Sequence, residues 1–180
     1  EITQTELELG LRYAPHEKFV QHKWNRKSKT PEHPVFTLNH AISKEGLLGS
    51  DYSIQHTEFS YRQRLMAAPV GYFDVMLKAG KIWGQAPYPL LIIPNANLSY
   101  TYRKETFETM TPMEFVMDQH LTWDIVYYMN GLIFNRTPLI RNLKLREVLY
   151  CRGTWGSLSD INNPEIDTSG KVFYYPTGRS

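Results

Sequence analysis

A recurring two-residue alternation of apolar and polar side chains limits how this chain can fold. In residues 120–130, Leu121 and Trp123 alternate with Thr122 and Asp124. Because successive side chains of an extended strand point to opposite faces, the pattern predicts strands with one apolar and one polar face. It recurs in residues 5–13, 35–42, 72–83 and 143–155. The chain is therefore predicted to be all-β, with antiparallel amphipathic strands.

Two local features refine this strand prediction. Tyr52 and Ile54 place apolar residues at even positions, whereas Phe59 is apolar at an odd position. Because the alternation changes phase between them, we expect a β-bulge near Thr57 or Glu58. Residues 134–138 have the composition of a short turn, whereas residues 23–34 and 157–171 read as long polar connections. Short turns that alternate with long loops are typical of membrane β-barrels.

Composition excludes several function classes. The net charge of +2 lacks the strong basic excess typical of nucleic-acid binders. No apolar run reaches the roughly 18 to 20 residues of a transmembrane helix, so a membrane-spanning form of this chain is expected to be a barrel. The single cysteine, Cys151, excludes an internal disulfide and a multi-cysteine metal site.

A soluble β-sandwich and a transmembrane β-barrel both produce alternating strands. The sandwich buries its apolar face, whereas the barrel turns that face to lipid and places aromatic residues at strand ends. Aromatic residues form 13% of this chain, and Trp83, Trp123, Tyr128 and Trp155 lie near predicted strand ends. This distribution favours the barrel. A soluble β-barrel or sandwich that binds an apolar ligand remains the alternative.

Residues 85–114 interrupt the rhythm of strands. They contain four prolines, at positions 87, 89, 94 and 112, and proline removes a hydrogen-bond donor from a strand ladder. The segment is predicted to be a long inserted loop. Its apolar residues, such as Ile92 and Phe107, favour a loop that packs against the rest of the protein.

Four segments carry a resemblance to a known family. They are residues 11–19, 32–38, 46–52 and 89–100, which include Leu11-Arg12-Tyr13-Ala14-Pro15, Gly46-Leu47-Leu48-Gly49 and Pro89-Leu90-Leu91-Ile92-Ile93-Pro94-Asn95. The chain resembles the C-terminal barrel of Bacteroidota outer-membrane proteins that carry an N-terminal carboxypeptidase-regulatory-like domain. That barrel is related to the BamA-like bacterial surface antigen superfamily.

The resemblance implies that residues 1–180 are the C-terminal part of a roughly sixteen-strand transmembrane β-barrel, with the 85–114 loop folded into the lumen. The superfamily has a Val-Arg-Gly-Phe/Tyr tip on this loop, which this chain lacks. Arg103 is the only arginine in the loop. By analogy it would pair with Asp74 or Asp124, with Tyr100 and Tyr102 as neighbouring lumenal candidates; the alternative is a solvated arginine.

Other candidate sites give weaker signals. No nucleophile lies in a Gly-x-Ser-x-Gly elbow, and no two histidines have metal-ligand spacing, so we expect no enzyme activity, cofactor or metal. Residues 160–167 supply oxygen ligands of the kind calcium takes, but a plain loop is favoured. Lys23, Arg26, Lys27 and Lys29 form a basic run that either contacts lipopolysaccharide phosphates or is simply solvated.

The strand pattern predicts a cell outer-membrane protein, and the resemblance implies that it acts in outer-membrane protein assembly, export or surface presentation. Its expected partners are outer-membrane lipid, lipopolysaccharide and periplasmic or outer-membrane proteins, with no nucleic acid. The sequence starts in a strand-like stretch without a signal peptide and stops in a turn-like stretch. We therefore expect more chain, or a partner, to complete the sheet.

Overall fold

The fold consists of β-strands joined by turns and loops. The computed structural model describes residues 2–21, 23–97, 99, 106–136, 138, 141–163 and 166. Across those residues there is no α-helix, and no helix has the length and apolar character needed to cross a membrane. The strands are β1 Leu7–Tyr13, β2 Phe19–Gln21, β3 Arg26–Ser28, β4 Val35–Ile42, β5 Gln55–Met66, β6 Tyr72–Trp83, β7 Gln119–Tyr128 and β8 Val148–Ser157.

Six of these strands form one antiparallel sheet in the order β1-β4-β5-β6-β7-β8. The short strands β2 and β3 pair only with each other, as a hairpin in the connection between β1 and β4. The all-β, antiparallel prediction is confirmed. Among the described strands the sheet is open, with β1 at one edge and β8 at the other.

The register between neighbouring strands is continuous, so whole rows of side chains share a face. One row crosses the sheet from Phe36 through Tyr61, Leu77 and Trp123 to Gly153. Rows two residues away lie on the same face, and the rows between them lie on the opposite face. We call the face of this row the apolar face, and the opposite face the polar face.

The strand boundaries test the sequence predictions one by one. Strands β4 and β6 match the predicted segments, and β7 starts and ends within two residues of its prediction. The predicted bulge near Thr57 or Glu58 is wrong, because β5 pairs without interruption with both neighbours. The apparent phase change arises because Tyr52 and Ile54 precede the strand and pack in a separate apolar cluster.

The connection between β7 and β8 also differs from its prediction. Phe134–Arg136 is one 3-10 turn within a long connection, and a second turn at Arg141–Leu143 precedes Lys144, whose φ is 52°. This left-handed residue breaks the extended chain, so β8 starts at Val148 and not at Leu143. Glu147 accepts backbone hydrogen bonds from Ile133 and Phe134. Desolvation acts to raise its pKa, but the backbone donors outweigh desolvation and lower it.

The small core lies on the polar-face side of the sheet. Ile54 and Ile82, at one end of the sheet, pack against Ala86 and Leu91 of the loop between β6 and β7. In the part of the chain that the structure describes, the buried apolar residues are Ala41, Ile54, Ile82, Ala86, Tyr88, Leu91 and Met117. None of them lies on the apolar face. The apolar face therefore contributes no residue to this core.

One cross-strand contact on the apolar face depends on the absence of a side chain. The Trp123 ring lies over Gly153, where an added Cβ would be 2.2 Å from the ring. We predict that Gly153→Ala displaces this ring and lowers the free energy of unfolding by about 1 to 3 kcal/mol, as overpacking does.

Urea unfolding of the chain measures this effect. Gly10→Ala is the control, because an added Cβ there would meet only the Asn39 side chain, at 3.1 Å. A loss at Gly153 no larger than that at Gly10 would contradict the prediction.

Candidate functional site

The polar face carries an open cleft with a volume of about 570 Å³. Its lining combines charges of both signs from the sheet and from the connection between β1 and β4. Arg12 of β1 binds Glu17 of that connection at 2.5 Å, and the Glu17 side chain is buried. The cleft therefore brings together charged groups of both signs, of which Arg12 and Glu17 form one ion pair.

The Arg64 and Asp74 side chains form the first ion pair within the sheet. The two residues are register partners on β5 and β6, and the guanidinium binds both carboxylate oxygens, at 2.7 and 2.9 Å. The same guanidinium lies 4.2 Å from the centre of the Tyr72 ring. About a third of each charged side chain is exposed, so water screens this pair.

The Asp124 and Arg152 side chains form a second and deeper pair. They are register partners on β7 and β8, with Nη2 of Arg152 donating to Oδ2 of Asp124 at 2.6 Å. Only 12% and 11% of the Arg152 and Asp124 side chains are exposed. The other Asp124 oxygen, Oδ1, is buried with no hydrogen-bond partner among the described residues.

The loop between β6 and β7 covers one end of the polar face. It is held to itself by an antiparallel bridge between Ile92 and Met117 and a parallel bridge between Ala96 and Phe107. It is held to the sheet by Arg152, whose Nη1 donates to the Thr106 carbonyl oxygen at 2.7 Å. The second ion pair is therefore also a contact between the sheet and the loop.

A second cavity, of about 190 Å³, lies between this loop and the sheet. Ile92, Pro94 and Phe107 line it from the loop. The strands line it with His56, Glu58, Met76, Lys78, His120, Thr122, Asp124, Arg152 and Thr154. The ring of His120 lies against Gly80, where an added Cβ would be 2.4 Å from it, so the absence of a side chain at that position makes room for the imidazole.

A buried polar network fastens the base of the loop. Asn162, in the 3-10 turn after β8, is 1% exposed and accepts a hydrogen bond from the Ala86 backbone at 2.8 Å. Its amide nitrogen donates to Asp118 at 3.0 Å and to the Gly84 carbonyl at 3.2 Å. Asp118 also accepts hydrogen bonds from Ser159. The network joins the two ends of the loop to the segment that follows the last strand.

The apolar face is exposed over all six strands. Thirteen large apolar side chains on it are each between 37% and 78% exposed. They are Leu7, Leu9, Leu11, Tyr13, Leu38, Ile42, Phe59, Leu65, Leu77, Trp83, Leu121, Leu149 and Trp155. Soluble monomers seldom expose continuous apolar patches above roughly a few hundred Å², so a surface of this extent indicates an interface.

A polar row crosses the apolar face near the end covered by the loop. His40 and Trp83 both bond to the Thr57 hydroxyl, at 2.9 and 3.1 Å. Beside them, the Lys81 ammonium lies 4.4 Å from the centre of the Trp83 ring. This row therefore interrupts the apolar surface with hydrogen-bonded and charged groups.

The predicted site residues lie partly outside the described structure. Arg103, Tyr100 and Tyr102 fall among residues that the structure does not describe, so pairing of Arg103 with Asp74 or Asp124 stays a prediction. Both aspartates lie on the polar face, about 50 residues apart in sequence, and each pairs with an arginine of a neighbouring strand. These arginines, Arg64 and Arg152, were not predicted as site residues. The register of the strands places each arginine opposite its aspartate, and the alternation of apolar and polar residues does not predict that register.

Within the described ranges, no group of three or more His, Cys, Asp or Glu side chains could hold a metal ion.

The two aspartates offer a matched test of the ion pairs. Asp124→Asn removes the carboxylate that the nearly buried Arg152 guanidinium binds, and we expect the free energy of unfolding to fall by about 3 kcal/mol. Asp74→Asn affects a screened pair, so a loss of about 1 kcal/mol or less is expected. Urea unfolding measures both losses of stability, and equal losses would contradict the difference in burial between the two ion pairs.

Comparison with known proteins identifies a domain family. The family described as "Family of unknown function (DUF5686) C-terminal domain" matches residues 3–155. No curated protein and no solved structure matches the chain. Because the match covers most of the 180 residues, the chain belongs to the DUF5686 C-terminal domain family.

Proposed function

We propose that this chain forms part of the wall of a transmembrane β-barrel in the outer membrane, with its apolar face toward the acyl chains. The observation that carries the proposal is the exposure of large apolar side chains on one face of all six strands. In water such a face is unfavourable by about 25 cal/mol for each Å² exposed, whereas in lipid that cost disappears.

The dimensions of the apolar face support the proposal. Phe73 stacks on Tyr127 near one end of the face, and Trp83 lies at the other end of the same strand, β6. The ten residue-to-residue steps from Phe73 to Trp83 span roughly 34 Å at about 3.4 Å per step. A strand tilt of roughly 40° reduces this to about 26 Å, close to the roughly 25 Å apolar band of outer-membrane barrels.

The polar face is suited to line a lumen. Its ion pairs and hydroxyl groups are tolerable against water but very costly against hydrocarbon. Thr122 and Thr154, for example, are hydrogen-bonded to each other at 2.9 Å on this face. The loop between β6 and β7 packs on the same side, which fits the expectation of a loop folded into the barrel interior.

The open sheet edges indicate how the wall continues. Strands β1 and β8 each pair on one side only among the described strands. An unpaired edge is unfavourable in hydrocarbon because its backbone groups lack hydrogen-bond partners. We therefore propose that further strands close the sheet into a barrel, of roughly sixteen strands if the sequence resemblance holds.

The resemblance to BamA-like barrels supports a role in outer-membrane protein assembly, export or surface presentation within a complex. Residues 11–19 and 89–100, which carry much of that resemblance, lie within the matched family region. The absence of the Val-Arg-Gly-Phe/Tyr tip separates this chain from the superfamily pattern, so the assembly role rests on resemblance alone.

Substitutions on the two faces of β7 test the proposal. Leu121 lies on the apolar face, one row inside the polar row that contains Lys81, and Leu121→Arg places a charge there, with an expected cost of about 1 to 2 kcal/mol if that face meets lipid. Val126→Arg is the control, because Val126 lies on the polar face opposite Asp74 and lines the open cleft.

The measurement is the amount of folded protein in washed membranes and its extraction by detergent. We expect the wild-type chain and Val126→Arg in the membrane fraction, with much less Leu121→Arg. A monodisperse wild-type chain recovered without detergent would contradict the proposal. It would favour the soluble β-barrel or sandwich that binds an apolar ligand.

A further inference from the structure

The six strands place a single lysine or arginine on the apolar face. Lys81 of β6 lies there in the polar row, in register with Thr57 of β5, which is itself in register with His40 of β4. The carboxylates of the six strands all lie on the polar face. They are Glu8, Glu58, Asp74 and Asp124. Charge complementarity therefore favours an anion as the ligand of the polar row.

Lys81 is placed to meet an anion from outside the protein. It is exposed, and among the described residues it forms no ion pair. Its ammonium lies 4.4 Å from the centre of the Trp83 ring. The face of an indole ring attracts a cation but carries no net charge, so the ring does not neutralise Lys81. Beside hydrocarbon, a lysine in this position is costly unless its ammonium reaches an anion or water.

Hydrogen bonds beside Lys81 supply a second donor. The indole nitrogen of Trp83 can only donate, and it donates to the Thr57 hydroxyl at 3.1 Å. The arrangement that also uses the Thr57 proton has this hydroxyl donating to His40 Nδ1, at 2.9 Å. It places the His40 proton on Nε2, because a neutral imidazole carries one proton. The polar row then presents two donors, the His40 Nε2–H group and the Lys81 ammonium.

A shallow apolar groove leads from Lys81 toward the middle of the face. Ala79 lies two residues before Lys81 on the same face of β6, and its register partners are Phe59 and Leu121. Those partners are 42% and 44% exposed, whereas the Ala79 side chain ends at Cβ. The surface is therefore lower over Ala79 than on either side. A lipid has both an acyl chain to lie in this groove and a headgroup to reach Lys81, whereas free phosphate has only the anion.

We propose that the polar row binds the phosphate group of an anionic membrane lipid. Lys81 forms the ion pair with the phosphate, His40 donates a hydrogen bond to it, and an acyl chain lies over Ala79. This inference rests on the proposed barrel, because lipid reaches the row only if the apolar face is turned to the membrane. A bound headgroup at this row would also fix the depth of the sheet in the bilayer.

Native mass spectrometry of the full chain in detergent measures lipid binding directly. The probes are short-chain phosphatidylglycerol, which is anionic, and phosphatidylcholine of the same chain length, which is zwitterionic. We expect the wild-type chain to bind phosphatidylglycerol about fivefold more tightly, the factor that one lysine contributes near anionic lipid. Lys81→Gln should remove this preference, and Lys81→Arg should keep it.

Lys78→Gln is the matched control. Lys78 lies on the same strand but on the polar face, so its loss changes the net charge equally and should leave the preference intact. An equal loss for Lys78→Gln would show attraction to the whole chain and overturn the site. His40→Leu tests the second donor independently of Lys81, and we expect it to weaken phosphatidylglycerol binding by a smaller factor.

Two further outcomes separate the lipid, the free anion and the barrel itself. Inorganic phosphate that displaces phosphatidylglycerol better than sodium chloride at equal ionic strength would assign the row to the free anion and overturn the lipid. Equal binding of both lipids by a wild-type chain that requires detergent would overturn the headgroup site and leave the barrel standing. A wild-type chain that is monodisperse without detergent would overturn both proposals.

Discussion

The structure depends on an uninterrupted antiparallel register across six strands. A shift of one residue in any strand would move its apolar residues to the polar face and its charged residues to the apolar face. The register places Leu38, Phe59 and Leu121 in one row on the apolar face. It also places Arg64 opposite Asp74 and Arg152 opposite Asp124 on the polar face. The pairing of the strands therefore determines that apolar and charged side chains lie on opposite faces of the sheet.

The way the loop between β6 and β7 packs depends on this separation of apolar and charged residues. Its apolar residues Leu91 and Ile92 pack over Ile54 and Ile82 at one end of the polar face, where the small core forms. Farther along the face the sheet offers charged groups, and there the loop is held by its Thr106 backbone. Among the described residues, apolar packing therefore fixes the base of the loop, and the Arg152 guanidinium binds it farther along.

Much of the sheet was predictable from alternation, because strands such as β4 and β6 keep one phase from end to end. The alternation pattern gave wrong strand boundaries where apolar residues outside the strands continue the same pattern. Ile54 continues an apparent strand pattern but packs under the loop, and the apparent alternation that starts at Leu143 is interrupted by the left-handed Lys144. Apolar character alone does not distinguish a residue at the base of the loop from one on the apolar face.

The candidate site was less accessible from the sequence. Asp74 and Asp124 stood out as acids within amphipathic strands, but their partners are set by strand register. Arg152 lies 28 positions after Asp124, and only the pairing of β7 with β8 makes them neighbours. The buried network of Asp118 and Asn162 joins residues 44 apart and follows no sequence motif. Which loop residues reach the polar face near Asp124 is likewise a question of tertiary packing.

The central claim is that the two faces of the sheet meet different solvents, and spin labels report this most directly. Cys151 lies on the apolar face opposite Ile125 and is exposed, so the native thiol accepts a nitroxide. The matching label on the polar face is Val126→Cys in a Cys151→Ser background. In bilayers, we expect the label at Cys151 to collide mainly with lipid-soluble oxygen and the label at position 126 mainly with a water-soluble nickel chelate. Protection of the Cys151 label from both reagents, or its collision mainly with the nickel chelate, would contradict this account.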